Sequence, residues 1–189
     1  HGGTHIDAPI HFARNKQTVD EIPLEKLIGS AIKIDISEYA IKDPEYLISI
    51  EDIINWEKEE NMKIPEGAIV LLETGFSKFY PNKLKYLGTD ERGEEAIKKL
   101  HFPGLSPQAA KWLVEHRNIH AVGIDTPSID YGQSQTFESH IILLSHNIPV
   151  FENLTNLDKL PSKDLQIIAL PMKIKGGRGA PLRVVAIIN

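Results

Sequence analysis

The first twelve residues, His-Gly-Gly-Thr-His-Ile-Asp-Ala-Pro-Ile-His-Phe, constrain the fold more than any other stretch of this chain. A proline and a glycine pair within it disfavour an α-helix, so we expect an extended segment. Side chains of an extended segment alternate between two faces. Because His1, His5, Asp7 and His11 are separated by even numbers of residues, the segment is predicted to present all four on one face.

These side chains have the chemistry of a metal site. Neutral imidazoles and an anionic carboxylate are the donors that borderline divalent metals take in proteins. The chain contains no cysteine, which excludes disulfides, thiolate metal sites, iron–sulfur clusters and a cysteine nucleophile. Thr4, on the opposite face, is predicted to brace the segment through a hydrogen bond. The alternative is that these histidines are scattered polar residues without a shared role.

Length and composition are those of an ordinary globular protein. The chain has 189 residues, with 41% hydrophobic and 25% charged residues, and we expect one domain over 1–189. A net charge of -5 without a basic stripe argues against nucleic-acid binding. No apolar run approaches the roughly 20 residues of a membrane span. No signal peptide is recognisable, so we expect a cytoplasmic protein.

Apolar runs and turn residues predict alternating strands and helices, and therefore an α/β fold with a mixed sheet of short strands. The predicted strands are 31–36, 68–73, 121–124, 150–152, 165–170 and 183–188. The predicted helices are 50–60, 138–147 and one that begins at Pro107 and is capped by Ser106. The charged stretch 81–95 is interpreted as a long surface loop.

A second group of candidate residues lies far downstream. His140 is near the start of a predicted helix, and Glu152 follows in the next predicted strand. A helix that returns into a strand can aim both side chains at one place, although isolated residues of these types are more often structural or exposed. Asp125 and Asp130 flank a Thr-Pro-Ser turn at a strand end, where they either support a site or cap the turn.

Other polar residues are given structural roles. His101 is a candidate pocket residue, with a structural role preferred. Ser128 and Ser139 lack the glycines of a nucleophile elbow, so a serine hydrolase is not predicted. The glycine-rich stretch 176–179 lacks the features of a phosphate loop and is predicted to be a tight turn. Three histidines are predicted at the surface or at helix ends: His116, His120 and His146.

The sequence HGGTHIDAPIHF resembles the HxGTHxDxPxH signature of the cyclase-like metal-dependent hydrolases, a family that includes bacterial kynurenine formamidase and isatin hydrolase. The resemblance continues to the end of the chain through four further stretches, 125–130, 140–144, 148–157 and 170–177. Residues 86–90 and 100–106 are more similar to the isatin-hydrolase branch than to the formamidase branch.

The resemblance implies a set of site residues. His11 is implied as the catalytic acid/base. The implied cofactor is a divalent metal, zinc or manganese, as one or two ions, although iron and cobalt also suit these donors. The implied metal ligands are His1, His5, Asp7, His140 and Glu152.

The resemblance also implies an overall shape and an assembly. The family has a compact, swivelling β/β/α fold of the cyclase-like type and forms dimers or tetramers, so we expect a homodimer or homotetramer. Members carry a segment before the signature, and we expect such a segment to precede residue 1.

The implied function is metal-dependent hydrolysis of an aryl-linked amide. The expected partner is a small aromatic amide such as isatin or N-formylkynurenine, cleaved by metal-activated water. One alternative is a hydrolase of another small cyclic amide, ester or lactone. Another is a non-catalytic metal-binding protein of the same fold, and the presence of His11 favours the enzyme.

Overall fold

A closed barrel of seven strands forms the centre of residues 2–188, the part of the chain that the computed structural model describes. The barrel strands are β1 (His5–Asp7), β2 (Ile28–Asp35), β4 (Ile69–Glu73), β6 (Ala121–Ile124), β7 (Val150–Glu152), β8 (Leu165–Pro171) and β9 (Gly179–Ile188). They follow one another around the barrel in the order β1-β7-β6-β4-β2-β8-β9, and β9 pairs with β1 to close it. A separate two-stranded sheet pairs β3 (Leu47–Ile48) with β5 (Gly104–Leu105).

Helices cover one side of the barrel and fill the connections. The α-helices are α1 (Ser37–Ala40), α2 (Ile50–Glu59), α3 (Lys83–Leu87), α4 (Glu94–Ile97), α5 (Pro107–Arg117) and α6 (Glu138–Ser145). Short 3-10 turns occur at Pro9–His11, Val19–Glu21, Leu24–Lys26, Phe76–Phe79 and Leu157–Lys159. None of the helices described within residues 2–188 is long and apolar enough to cross a membrane.

The barrel combines parallel and antiparallel strand pairs. The pairs β2–β4, β4–β6 and β6–β7 are parallel. The pairs β1–β7, β1–β9, β2–β8 and β8–β9 are antiparallel. Parallel strands require crossover connections, and α2, α5 and α6 lie in these connections. The predicted α/β fold with a mixed sheet is therefore confirmed.

Two hydrophobic cores lie on the two faces of the barrel wall. Ile69 and Leu71 of β4 point into the barrel, and Val70 and Leu72 pack outward in the core shared with the helices. Both faces of β4 are buried, which explains why its first four residues are all apolar rather than alternating. The outer core also fixes α6, the helix that carries His140, against the barrel.

Most of the predicted elements are present with shifted ends, and one prediction is wrong. The stretch 81–95 is not a loop throughout, because it contains α3 and the start of α4. Helix α3 has only five residues, too few for apolar periodicity to reveal it. It depends on its ends instead: Asn82 accepts a hydrogen bond from the Lys85 amide, and Gly88 ends the helix in the left-handed conformation, with φ of 85°.

Candidate active site

Strands β1 and β7 bring the amino-terminal signature beside the downstream candidates. In their antiparallel register, His5 lies opposite Glu152. Ile6 and Phe151 are buried in the barrel interior. Because side chains alternate along a strand, His5, Asp7 and Glu152 project from the outer face of the barrel wall. Residues of the interior core therefore alternate with residues of the candidate site along β1 and β7.

The extended segment is shorter than the sequence predicts. Strand β1 ends at Asp7, and the chain then turns into the 3-10 turn Pro9–His11, with the proline at its first position. The prediction that His11 belongs to the same strand face is therefore wrong, because the proline favours a turn once the strand has ended. His1, also predicted on this face, lies outside the described residues. Thr4 acts as the predicted brace, since its hydroxyl donates to the Asn153 carbonyl oxygen at 2.7 Å.

Helix α6 delivers His140 to the same place. The Nε2 atom of His140 lies 3.2 Å from Asp7 Oδ2 and 3.0 Å from Glu152 Oε1. The helix is followed by β7, so the predicted return of a helix into a strand places His140 and Glu152 together. His140 and Glu152 are both buried, with exposed fractions of 3% and 0%.

Three of these side chains have the geometry of a metal-binding group. The ligand atoms of His5, Asp7 and Glu152 all lie within 4.8 Å of one another. His5 Nε2 is 3.3 Å from Glu152 Oε2 and 3.7 Å from Asp7 Oδ1. We call these three residues and His140 the acidic–imidazole cluster.

Neighbouring groups hold both imidazoles of the acidic–imidazole cluster in a ligand-like orientation. Nδ1 of His140 donates to Asp130 Oδ2 at 2.6 Å, and Nδ1 of His5 donates to the Gly3 carbonyl oxygen at 2.9 Å. These bonds leave each Nε2 directed at the carboxylates. Nδ1 bonds of this kind typically fix the tautomer and ring orientation of histidines that bind metals. The donor set therefore fits a divalent metal ion.

A hydrogen bond also fixes the Glu152 carboxylate, and neighbouring charges change the pKa of His140. The Ile129 amide donates to Glu152 Oε1 at 2.8 Å and so fixes one carboxylate oxygen. Burial lowers the pKa of His140, but its hydrogen bonds to Asp130, Asp7 and Glu152 outweigh burial and raise that pKa well above the usual value. Negative charge gathered around the imidazoles therefore favours a cation at this position.

Asp130 supports the cluster, whereas Asp125 does not. Besides its bond to His140, Asp130 accepts the Ser139 amide at 2.9 Å and so orients the start of α6. Asp125 instead accepts the amide and the hydroxyl of Thr74 at 2.8 and 2.6 Å. Asp125 therefore fixes the segment that follows β4 and does not cap the Thr-Pro-Ser turn beside it. Burial raises the pKa of its carboxyl group.

The remaining candidates from the sequence lie away from the cluster. His101 is exposed and pairs with Glu45 at 2.9 Å, so the structural role is correct. The Ser139 hydroxyl is buried and donates to the Leu105 carbonyl oxygen at 2.7 Å. Gly176 lies in a turn before β9 with φ of 69°, as predicted for the glycine-rich stretch. Three further histidines lie at or beyond the ends of α5 and α6: His116, His120 and His146.

His11 lies beside the cluster without belonging to it. A cavity of about 490 Å³ is lined by His5, Asp7 and His11, and we call it the site cavity. The Nδ1 atom of His11 is buried and has no hydrogen-bond partner among residues 2–188. Gly179 of β9 borders the same cavity, and a Cβ there would lie 2.6 Å from the Ile6 carbonyl oxygen. The close approach of β9 to β1 thus requires glycine at this position.

An aromatic cavity adjoins the site cavity. It has a volume of about 610 Å³, and Gly2 lines both cavities. Asn153, the residue after Glu152, also lines the aromatic cavity. Sequence reasoning missed this feature because its side chains come from segments far apart along the chain. The aromatic residues that line it are Tyr80, Tyr86, Phe102, Tyr131 and Phe137.

Comparison with known proteins agrees with the fold and with the signature. A family model described as putative cyclase matches residues 1–131. The isatin hydrolase of Roseibium aggregatum is 32% identical over 100% of this chain and 72% of its own length. The kynurenine formamidase of Bordetella avium is 30% identical over 98% of this chain and 75% of its own length.

Solved structures show the same architecture. Isatin hydrolase A from Ralstonia solanacearum superimposes with a TM-score of 0.89 at 34% identity, covering 99% of this chain and 72% of that protein. A structure described as a potential metal-dependent hydrolase with cyclase activity gives a TM-score of 0.68 at 28% identity, covering 98% of this chain and 77% of that one. The resemblance inferred from the sequence is confirmed, and the chain belongs to the putative cyclase family.

Proposed function

We propose that this protein is a metal-dependent amidohydrolase that cleaves an aryl-linked amide with water, acting on isatin or N-formylkynurenine. The observation that carries the proposal is that the site cavity, which His5 and Asp7 of the acidic–imidazole cluster line, and the aromatic cavity share Gly2 in their walls. A metal site beside an aromatic pocket suits a small aromatic substrate with a reactive carbonyl. Relatives named isatin hydrolase and kynurenine formamidase support this substrate class.

The proposed metal is zinc or manganese, as one or two ions. His5, Asp7, His140 and Glu152 would hold it, together with His1. When bound, such a metal acts as a Lewis acid that lowers the pKa of water and polarises the substrate carbonyl. Asp130 orients His140 for this role, because its carboxylate accepts from Nδ1 at 2.6 Å.

His11 is proposed as the acid/base. It lines the site cavity together with His5 and Asp7, and its buried Nδ1 has no partner among residues 2–188. Hydrolysis forms a bond between the water oxygen and the carbonyl carbon and breaks the carbon–nitrogen bond. His11 takes the proton from the attacking water and delivers a proton to the departing nitrogen, as a positioned imidazole can do.

The aromatic cavity would hold the ring attached to that nitrogen. Its side walls are largely aromatic and aliphatic, with Tyr86 and Phe102 both buried. Burying the ring removes apolar surface from water. An aryl-attached nitrogen also leaves more readily than an alkyl amine, because the ring takes up part of its electron pair. The proposal therefore predicts faster cleavage of aryl amides than of alkyl amides.

The test is a spectrophotometric hydrolysis assay on protein loaded with Mn²⁺ or Zn²⁺ and on the same protein treated with a chelator. We expect hydrolysis of isatin or N-formylkynurenine, loss of activity on chelation and recovery after the metal is restored. An unactivated alkyl amide serves as the control substrate. Hydrolysis of a lactone or ester panel without cleavage of either aromatic amide would contradict the proposed substrate class.

We further propose that the protein is a cytoplasmic homodimer or homotetramer. The outer face of the β8–β9 hairpin supports self-association, because Leu170, Val185 and Ile187 are exposed there. Exposed apolar patches of this kind commonly mark contact surfaces. Sedimentation equilibrium would report a single-chain mass if the assembly part of the proposal is wrong.

A further inference from the structure

Asn153 lies at the junction of the acidic–imidazole cluster and the aromatic cavity. It directly follows Glu152, the buried carboxylate of the cluster, and it lines the aromatic cavity. Its backbone is held on both sides, because its amide donates to the Thr126 carbonyl oxygen at 2.9 Å and its carbonyl oxygen accepts from the Thr4 hydroxyl at 2.7 Å. The position of this side chain is therefore fixed relative to the cluster.

Only one of the two polar atoms of the Asn153 side-chain amide has a hydrogen-bond partner among residues 2–188. Its Oδ1 accepts a hydrogen bond from the Tyr86 hydroxyl at 2.9 Å. Its Nδ2 is buried and has no hydrogen-bond partner among residues 2–188. Buried donors are nearly always paired in folded proteins, and an exception calls for an explanation. A polar atom of a ligand in the adjoining cavity would satisfy this donor.

Tyr86 fixes the orientation of that amide. The ring of Tyr86 is buried in the wall of the aromatic cavity, and its hydroxyl also lies 3.1 Å from the Asp125 carbonyl oxygen. The hydroxyl has a single proton, and it lies closer to Asn153 Oδ1, at 2.9 Å, than to the Asp125 carbonyl oxygen, so it donates to Oδ1. The amide nitrogen is thereby left for another partner.

We propose that Asn153 Nδ2 donates a hydrogen bond to a ketone oxygen attached to the substrate's ring next to the amide nitrogen, and that Tyr86 is the positioning residue for this contact. The inference rests on the proposed function and makes it more specific. Isatin and N-formylkynurenine share this feature, because each carries a ring-attached ketone ortho to the nitrogen whose acyl group is cleaved. The substrate class is therefore the ortho-acyl anilides.

The experiment compares two substrates that differ only in that ketone, 2′-formamidoacetophenone and formanilide, on metal-loaded protein. The wild-type protein should prefer the ketone substrate by kcat/KM. The variant Asn153→Asp tolerates the positive φ of this residue but removes the donor, and Asn153→Ala removes the whole amide. Each variant should lose about 10–100-fold in kcat/KM for the ketone substrate, mainly through KM, with little change for formanilide.

Two further variants separate positioning from a general structural effect. Tyr86→Phe should reduce the preference for the ketone substrate in the same direction and by a smaller factor. Tyr39→Phe, a matched control at an exposed tyrosine, should leave the preference unchanged. Metal content should equal that of the wild-type protein in all four variants. A wild-type protein without preference, or Asn153 variants that keep the preference, would overturn the inference while leaving the proposed hydrolysis intact.

A binding measurement keeps the inference separate from the proposed activity. Calorimetric titration of metal-loaded protein with 2-aminoacetophenone and with aniline compares ligands that differ by the same ketone. Tighter binding of 2-aminoacetophenone that depends on Asn153 would support the contact even if neither substrate is hydrolysed, in which case the proposed function alone fails. Binding that is equal for the two ligands, absent for both or unaffected by Asn153 substitution would overturn the inference.

Discussion

His5 and His11 belong to one signature, but they have different surroundings in the folded chain. His5 lies in β1 with its Nε2 facing Asp7 and Glu152, whereas His11 lies in a turn at the edge of the site cavity. His5 is thus surrounded by metal donors, and His11 faces the space where a substrate would react. The two histidines should therefore respond differently to removal.

We predict that His11→Ala keeps the metal and lowers turnover by roughly 10²- to 10⁴-fold, the usual contribution of a positioned acid/base. His5→Ala should lose metal and activity together, because it removes a proposed ligand. Elemental analysis and steady-state kinetics on the same preparations measure both effects. If His11→Ala strips the metal, His11 is a ligand and its proposed role is wrong.

A second prediction concerns Asp130, which contacts the cluster only through His140. Asp130→Asn should weaken metal affinity by about 10–100-fold, because histidine ligands depend on a hydrogen bond that fixes the ring. Competition titration with a fluorescent chelator measures the affinity. The matched control is Asp90→Asn at an exposed aspartate, which should bind metal like the wild-type protein. Equal affinities of the two variants would count against the orienting role.

At the residue scale, the sequence predicts part of the candidate site. His5, Asp7, His140 and Glu152 converge as expected from the signature and from the helix–strand return. The shared face predicted for His11 is wrong because strand alternation holds only while the strand lasts. No sequence pattern pointed to Asn153 as a candidate site residue. Its orientation depends on a left-handed backbone, with φ of 54°, and on a hydrogen bond from Tyr86, which is far away in sequence.

At the scale of elements, an ion pair joins the two helices that pack on the outer core. Arg117 of α5 donates to Glu57 of α2 through Nε at 2.6 Å and Nη2 at 2.7 Å. Both side chains are largely buried, with exposed fractions of 12% and 11%. Such a paired arrangement is among the stronger polar interactions between elements.

We predict that Glu57→Gln lowers the free energy of unfolding by about 1.5–3 kcal/mol at neutral pH, the range for hydrogen bonds to charged groups. Burial raises the pKa of Glu57, but the bonds from Arg117 outweigh burial and hold that pKa below its ordinary value of 4.5. A lowered carboxyl pKa gives stability that is present above pH 4.5 and lost as the pH falls through the folded-state value.

The difference in unfolding free energy between wild type and Glu57→Gln should therefore stay constant above about pH 5 and shrink at lower pH. Urea unfolding at a series of pH values measures it. The control Glu59→Gln changes an exposed residue of the same helix and should have little effect at any pH. A difference that persists unchanged at pH 3 would contradict the pKa argument.

Elements with strong local signals could be predicted, and the others could not. Strands β4 and β6 are runs of buried apolar residues, and α5 has a serine cap followed by a proline, as expected. Helix α3 was missed because its stability comes from its caps and from burial of Tyr86. The pairing of β3 with β5 involves two residues from each strand and leaves no periodic pattern to detect.

At the scale of the whole molecule, closure of the barrel creates the candidate site. Strand β1 pairs with β7 on one side and β9 on the other, so the signature becomes part of the barrel wall. Its outward side chains then face α6, which the outer core holds in place. Closure depends on contacts between the two ends of the chain, and short-range sequence patterns contain no information about such contacts. The fold class could be predicted, but not the barrel.

The central claim is that the acidic–imidazole cluster binds a divalent metal, and direct metal titration tests it most simply. Metal-free protein titrated with Mn²⁺ or Zn²⁺ should bind one or two ions per chain, and His5→Ala should bind markedly less. Metal binding to the folded state should also raise the melting temperature in a concentration-dependent way. Less than about 0.2 equivalents of tightly bound metal in the reconstituted wild-type protein, against the one or more expected for a complete ligand set, would contradict the claim.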